Sequence, residues 1–358
     1  MADAADRLRL IRTPGIGPVS YRQLLARFGS AGDALAALPM LARRGGGKPP
    51  APPPPDAIAR EMASVARLGA RYWFVDDADY PALLAELDSA PPALIVRGNA
   101  ALAARQVVAI VGARNASAAA CRFARGLAAE LGREGAVIVS GLARGIDTAA
   151  HVASLPSGTI GVIASGIDIA FPPENRDLQE EVATRGLLLA EQPPGAEPLA
   201  RHFPSRNRII AGLATGTVVV EAAPKSGSLI TARLAVEAGR EVMAVPGSPL
   251  DPRAQGCNLL IREGAILVQS AADVLEAIRP IDARAVRAPG MRFDPGAAAD
   301  PSDAERRSVI GLLGPVPVAV DELIRQSGLA PAAVQTVLLE LELAGRLDRH
   351  AGGRVSLA

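Results

Sequence analysis

Between residues 107 and 268 the chain repeats one pattern: a short run of apolar, largely β-branched residues, then a stretch whose apolar residues recur with helical spacing. The runs are V-V-A-I-V-G, A-V-I-V-S-G, T-I-G-V-I-A-S-G, L-L-L-A-E, T-V-V-V-E-A, E-V-M-A-V-P-G and A-I-L-V-Q. A strand that is apolar on every side chain must be buried on both faces, and parallel strands need helical crossovers to join them. The pattern therefore predicts an α/β fold, an extended Rossmann-like, doubly wound parallel sheet. The segment from Ser117 to Arg133 is a crossover of the required type, with Ala, Leu and Phe123 forming an apolar stripe and Arg and Glu a wet face.

Two low-complexity segments bracket this core. Residues 43–57 join a glycine triplet to a polyproline run and read as a semi-rigid linker, and residues 281–302 have the same character. The expected organisation is a small helical domain over 1–42, the Rossmann-like domain over 58–280 and a third domain over 303–358. In the first, T-P-G-I-G-P-V-S-Y-R-Q-L-L at 13–25 reads as a turn between short helices, in the manner of a helix-hairpin-helix or sterile-alpha-motif bundle. In the last, three helices precede a hairpin turned by Gly352 and Gly353, which is winged-helix order. The third of these helices, 331–345, has no cation before Arg346 and is not expected to read DNA bases.

The formal net charge is +1, but it is unevenly spread. Residues 1–75 carry 11 Lys and Arg against 5 Asp and Glu, whereas residues 76–280 carry 18 against 22. Any polyanion site in the core must therefore be local. Cys121 and Cys257 are far apart and no clustered Cys/His spacing exists, so neither a metal nor a cofactor is expected. The start, M-A-D-A-A-D-R-L, lacks the basic and apolar regions of an export signal, and a cytoplasmic, membrane-free protein is expected.

Open α/β sheets bind ligands beyond the carboxyl ends of their strands, where helix N-termini present free N–H groups. Those ends carry V-G-A-R at 111–114, S-G-L-A-R-G-I-D at 140–147, A-S-G-I-D at 164–168 and E-A-A-P-K-S-G-S at 221–228, with F-P-S-R-N-R at 203–208. Gly112, Gly141 and Gly227 permit close approach of the backbone, and Ser226, Gly227 and Ser228 open a helix suited to an anion. Arg114, Arg144, Arg206, Arg208 and Lys225 supply cations, beside Asn207, and phosphate is the expected guest; pairing with Asp147, Asp168 or Glu221 is the alternative use of each. No catalytic residue is expected. Pro224 stands where a P-loop needs glycine, G-x-G-x-x-G and G-x-S-x-G are absent, and three scattered histidines make a triad improbable. Of the core's aromatics only Phe171 and Phe203 fall near this edge, so binding should rest on backbone charge with little base preference.

Y-P-x-L at 80–83, P-P-x-L-x-x-R-G at 91–98, V-G-A-R, S-G-L-A-R-G-I-D-T-A-A-H, F-P-x-R-N-R, S-G-S-L-I-T-A, V-P-G at 245–247 and G-C-N-L-L-I at 256–261 occur in order. This set resembles the DNA-processing protein A (DprA, or Smf) family over about residues 80–270. The resemblance implies an extended Rossmann fold and single-stranded DNA held in a basic pocket at the strand ends. It also implies a homodimer formed through that domain, protection of incoming DNA and loading of the RecA recombinase during natural transformation. By the same resemblance the DNA contacts are Arg114, Arg144, Arg206, Asn207, Arg208 and Lys225, with Gly112, Gly141, Ser226, Gly227 and Ser228 beside them. Two other readings stay open: a nucleotide-hydrolysing Rossmann-like enzyme using Glu221 after the Gly216-Thr217 turn, and a winged-helix transcription regulator with a Rossmann sensor domain.

Overall fold

The computed structural model describes residues 2–279, 300–350 and 352–358, so the linker expected at 281–302 lies almost wholly outside the described residues. Among these residues the chain divides into two compact units: residues up to Arg60 together with those from Asp300 onward, and residues from Glu61 to Arg279. No described helix is long and apolar enough to cross a membrane.

The first unit opens with α1 (Ala2–Ile11), α2 (Pro18–Phe28) and α3 (Ala31–Arg44), and α4 (Pro55–Arg67) leads into the second. Pro18 sits in the first turn of α2, where its missing N–H costs nothing, and Gly29 ends that helix in the left-handed region at φ 77°. Ser30 caps α3 by accepting the Asp33 N–H. Leu8, Leu10, Tyr21, Leu24, Leu38 and Leu41 are fully buried and hold the three helices together.

The second unit is built on β1 (Arg71–Phe74), β2 (Ala93–Gly98), β3 (Val107–Gly112), β4 (Val137–Ser140), β5 (Thr159–Gly166), β6 (Leu187–Gln192), β7 (Gly216–Val220), β8 (Glu241–Ala244) and β9 (Ile266–Leu267). Its helices are α5 (Ala82–Ala85), α6 (Ala118–Arg133), α7 (Ile146–Ser154), α8 (Arg176–Arg185), α9 (His202–Leu213), α10 (Gly227–Glu237), α11 (Gln255–Arg262) and α12 (Ala271–Ala277). The nine strands form one sheet in the order β1-β2-β6-β5-β4-β3-β7-β8-β9. The strands from β6 to β9 are mutually parallel; β1–β2 and β2–β6 are antiparallel, an edge that the apolar runs did not disclose. Successive residues of β3 enter opposite cores, Val107, Ala109 and Val111 on one face and Val108 and Ile110 on the other, as two-sided burial requires.

The remaining part of the first unit comprises α13 (Asp303–Gly311), β10 (Val318–Ala319), α14 (Val320–Ser327), α15 (Pro331–Leu343), β11 (Leu347–His350) and β12 (Arg354–Leu357). Val309, Leu323, Val334, Val337, Leu338, Leu341, Leu347 and Val355 close its core. The order β10-β12-β11 completes a winged helix.

Candidate nucleic-acid interface

In a doubly wound sheet the ligand crevice opens where neighbouring strands send their crossovers in opposite directions. Here that point lies between β3, whose chain continues to β4, and β7, whose chain continues to β8 on the other side. It is occupied by the protein itself. The Ser117 N–H at the start of α6 donates to Glu221 Oε2 at 2.7 Å, so a carboxylate takes the anion position that this helix offers. Glu221 is held there with φ at 56°, and Arg253 Nε lies 3.8 Å from its other oxygen.

The open pocket lies beside this crevice, over the ends of β3, β4 and β5 and the start of α9. Arg114, Gly141, Ala143, Arg144, Phe171, Pro172, Phe203 and Arg206 line it. Arg206 forms its base, on the first turns of α9, and is only 7% exposed. The space for its guanidinium exists because residue 141 is glycine: a Cβ there would lie 1.4 Å from Arg206 Nη1. Asp147, buried on α7, supplies the opposing charge, while its Oδ2 accepts the N–H groups of Gly141 at 3.1 Å and Ala143 at 3.4 Å. Burial pushes the Asp147 carboxyl up, against the pull of Arg206 and of the two backbone donors. Burial likewise brings the guanidinium of Arg206 down to about 10, with Asp147 resisting and Arg114 assisting, so it remains a cation at neutral pH. Its Nε makes no hydrogen bond among the described residues.

Beneath this pair, His151 on the same helix is fully buried, its Nδ1 2.7 Å from Thr159 Oγ1. Burial drives its imidazole down to about 3, and it sits in the core as a neutral packed residue. Leu142, buried with φ at 55°, is fixed by Asn175 Nδ2, which donates to its carbonyl at 2.8 Å. Two aromatic rings share the lining of the pocket with Arg206. Phe171 and Phe203 stand with ring centroids 5.7 Å apart and tilted at 59°, and the Arg114 guanidinium lies 5.3 Å from the Phe203 centroid.

The residues singled out in the sequence fare differently. Arg114, Arg144, Arg206 and Gly141 meet in this pocket. Arg114 and the exposed Lys225 have no carboxylate partner among the described residues, whereas Arg144 lies 3.6 Å from Glu174 at an exposed site. Arg208 is turned away into structure, paired with Glu191 and donating to the Ser89 carbonyl at 2.5 Å. Asn207 Nδ2 donates to the Gly227 carbonyl at 3.3 Å, tying α9 to the start of α10. Ser226 caps α10 and its hydroxyl lies 2.8 Å from that of Ser228, while Gly227 is exposed with open space where a Cβ would stand. Gly112 lies at the end of β3, close against Ile146 and the Val220 carbonyl. Sequence reasoning placed both phenylalanines near this edge but not against each other, because their pairing is made by segments 32 residues apart.

Comparison with known proteins identifies the family. Residues 71–279 match the family described as DNA recombination-mediator protein A, residues 1–64 the DprA-like N-terminal HHH domain, and residues 293–353 the DprA winged helix domain. The chain is 49% identical over 198 residues to the DNA processing protein DprA of Streptococcus pneumoniae, a match covering 55% of this chain and 70% of that one. It is 36% identical over 310 residues to protein Smf of Synechocystis, covering 78% of each. A solved structure of DNA processing protein A from Helicobacter pylori, described for its single-stranded-DNA binding mode, superposes with a TM-score of 0.53 at 29% identity, over 57% of this chain and 94% of that one. With a strand-end pocket of arginines over a Rossmann-like sheet, a helical first domain and a winged helix, the chain belongs to the DNA recombination-mediator protein A family, DprA or Smf.

Proposed function

We propose that this chain binds single-stranded DNA across the strand ends of its Rossmann-like sheet and passes it to a RecA-type recombinase, protecting incoming DNA during natural transformation. The observation that carries this reading is Arg206. It is a buried guanidinium with an unused Nε donor, opposed by one carboxylate that two backbone N–H groups already engage, and it faces a second cation in Arg114. Cations gathered with so little compensation are costly until a polyanion offsets them, and a guanidinium fork suits phosphate. Phe171 and Phe203 add an apolar wall on which an unpaired base can rest, which a duplex does not offer. The described binding of single strands by the Helicobacter pylori relative supports the same ligand. Glu221, on which nucleotide hydrolysis would depend, is engaged by the Ser117 N–H and is no free base. A homodimer through this unit is supported by β9, a sheet-edge strand whose Ile266 and Leu267 are 38% and 45% exposed.

The test is a binding titration of the full chain with labelled single-stranded and duplex oligonucleotides at two salt concentrations. Arg114→Ala and Lys225→Ala are each expected to weaken single-strand binding and to lower the slope of log K against log salt by about 0.7. Sedimentation of the same samples reports the dimer. A double variant of the two that keeps the affinity and slope of the parent would sink the pocket assignment.

A further inference from the structure

In a winged helix that reads DNA, the third helix lies in the major groove and its outward side chains meet base edges. Here that helix is α15, and its outward polar groups are already engaged within the chain's own first unit. Gln23 Nε2 on α2 donates to Gln335 Oε1 at 2.7 Å, and Arg27 Nη1 donates to Thr336 Oγ1 at 3.1 Å. Glu340 is 1% exposed and accepts two hydrogen bonds from Arg306, at 2.8 and 2.9 Å, with Arg44 of α3 3.9 Å away. Arg346, just past the helix, donates to the Gly45 carbonyl at 3.0 Å, and Arg27 and Arg44 converge on Asp300.

The backbones also meet. Gly45 has φ −72° and ψ −4°, a conformation open to any residue, so its own dihedrals do not call for glycine. What excludes a side chain is α15: a Cβ at 45 would stand 2.0 Å from the Glu340 carbonyl oxygen, and one at 47 would stand 2.2 Å from that of Ala344. The glycines after α3 form a seat into which the end of α15 fits main chain to main chain. α15 carries no Lys or Arg, and Glu342 is bonded to Arg349 at 2.9 Å, so the helix offers phosphates nothing in exchange for leaving that seat.

We propose that α15 is a protein-docking surface whose occupant is the N-terminal helical domain of the same chain, and that the two ends form one module closed to duplex DNA at this helix. Hydrogen exchange on the full chain tests it. Replacing Gln335 and Thr336 by Lys removes both acceptors and sets a second cation against Arg27; the change lies only in the winged helix, yet amides of α2 and α3 are expected to exchange about tenfold faster or more, while the strands of the second unit are unchanged. Gly45→Val is expected to raise exchange along α15 from the other side, and the first variant keeps the proposal testable where Gly45→Val simply unfolds the helical domain. Unchanged protection of α2 and α3 in the Gln335→Lys, Thr336→Lys variant would overturn the proposal. So would new protection of α15 in the parent on adding duplex DNA. Protection of α15 that falls on about hundredfold dilution would assign the seat to a second copy and overturn the same-chain occupant.

Discussion

The strand-end pocket and the outward side of α15 are both places where this fold can meet nucleic acid, and they treat their polar groups in opposite ways. In the pocket, Arg206 is buried against a single carboxylate and Arg114 has no carboxylate partner among the described residues, so charge is left over. On α15, Gln335, Thr336 and Glu340 are each bonded to another side chain of the chain. What separates the two surfaces is therefore unspent charge rather than polar residues as such. Arg208 makes the same point at short range, because it stands two positions from Arg206 and is fully engaged by Glu191 and the Ser89 carbonyl.

The harshest way to break this contrast is Arg206→Ala. Arg206 offsets the charge of the buried Asp147, and removing it leaves that carboxylate without its compensating cation, so the variant is expected to lose about 1 to 3 kcal/mol of stability by urea unfolding. Its single-strand affinity is expected to fall by about a hundredfold or more, roughly 2.7 kcal/mol. Arg206→Lys separates the two effects by restoring charge without the fork. If Arg206→Ala keeps both stability and affinity, the pocket is no more committed to an anion than α15 is.

A pH series sharpens the comparison, since the support under the pocket contains a buried neutral histidine. His151 sits at about 3 when folded and near 6.5 when free, so between these values the unfolded chain binds the proton and the folded chain does not. Its contribution to stability is therefore complete above about pH 7 and is lost as the pH falls, by about 2 kcal/mol on going from pH 7 to pH 5. His151→Gln is expected to show a flatter dependence over this window in parallel urea titrations. Equal slopes in parent and variant would show that burial does not hold this ring neutral.

The smallest expected effect is the most local. Phe203→Ala removes one ring of the aromatic wall and the surface under Arg114, and about 1 kcal/mol of single-strand affinity is expected to go with it, the low end for a base-stacking contact. Anisotropy with abasic and ordinary oligonucleotides distinguishes stacking from a mere shift of Arg114. Only stacking makes the loss vanish when the base is absent.

The strands from β3 to β8 were readable because burial on both faces leaves an uninterrupted apolar run, whereas R-Y-W-F of β1 is exposed at its first residue and gives no such run. The site's residue types were readable too, since arginine and glycine at strand ends have few other uses. Which arginines remain available was not readable: Arg208 is taken by Glu191 and Ser89, which lie 17 and 119 residues away along the chain. The glycines after α3 carry a linker's composition for the same reason, their partner being α15 near the other end.

That partnership sets an order of events in synthesis. α3 ends at Arg44 and the winged helix starts at Asp303, so about 260 residues must be translated in between, which at ribosomal rates takes about 15 to 50 s. The nine-stranded unit is complete and free to fold within that interval, while the first helices to leave the ribosome wait with their glycine seat bare. The earliest-made part of the protein is thus the last to be finished, and a nascent chain arrested before residue 303 carries the strand-end pocket without the module that joins its two ends.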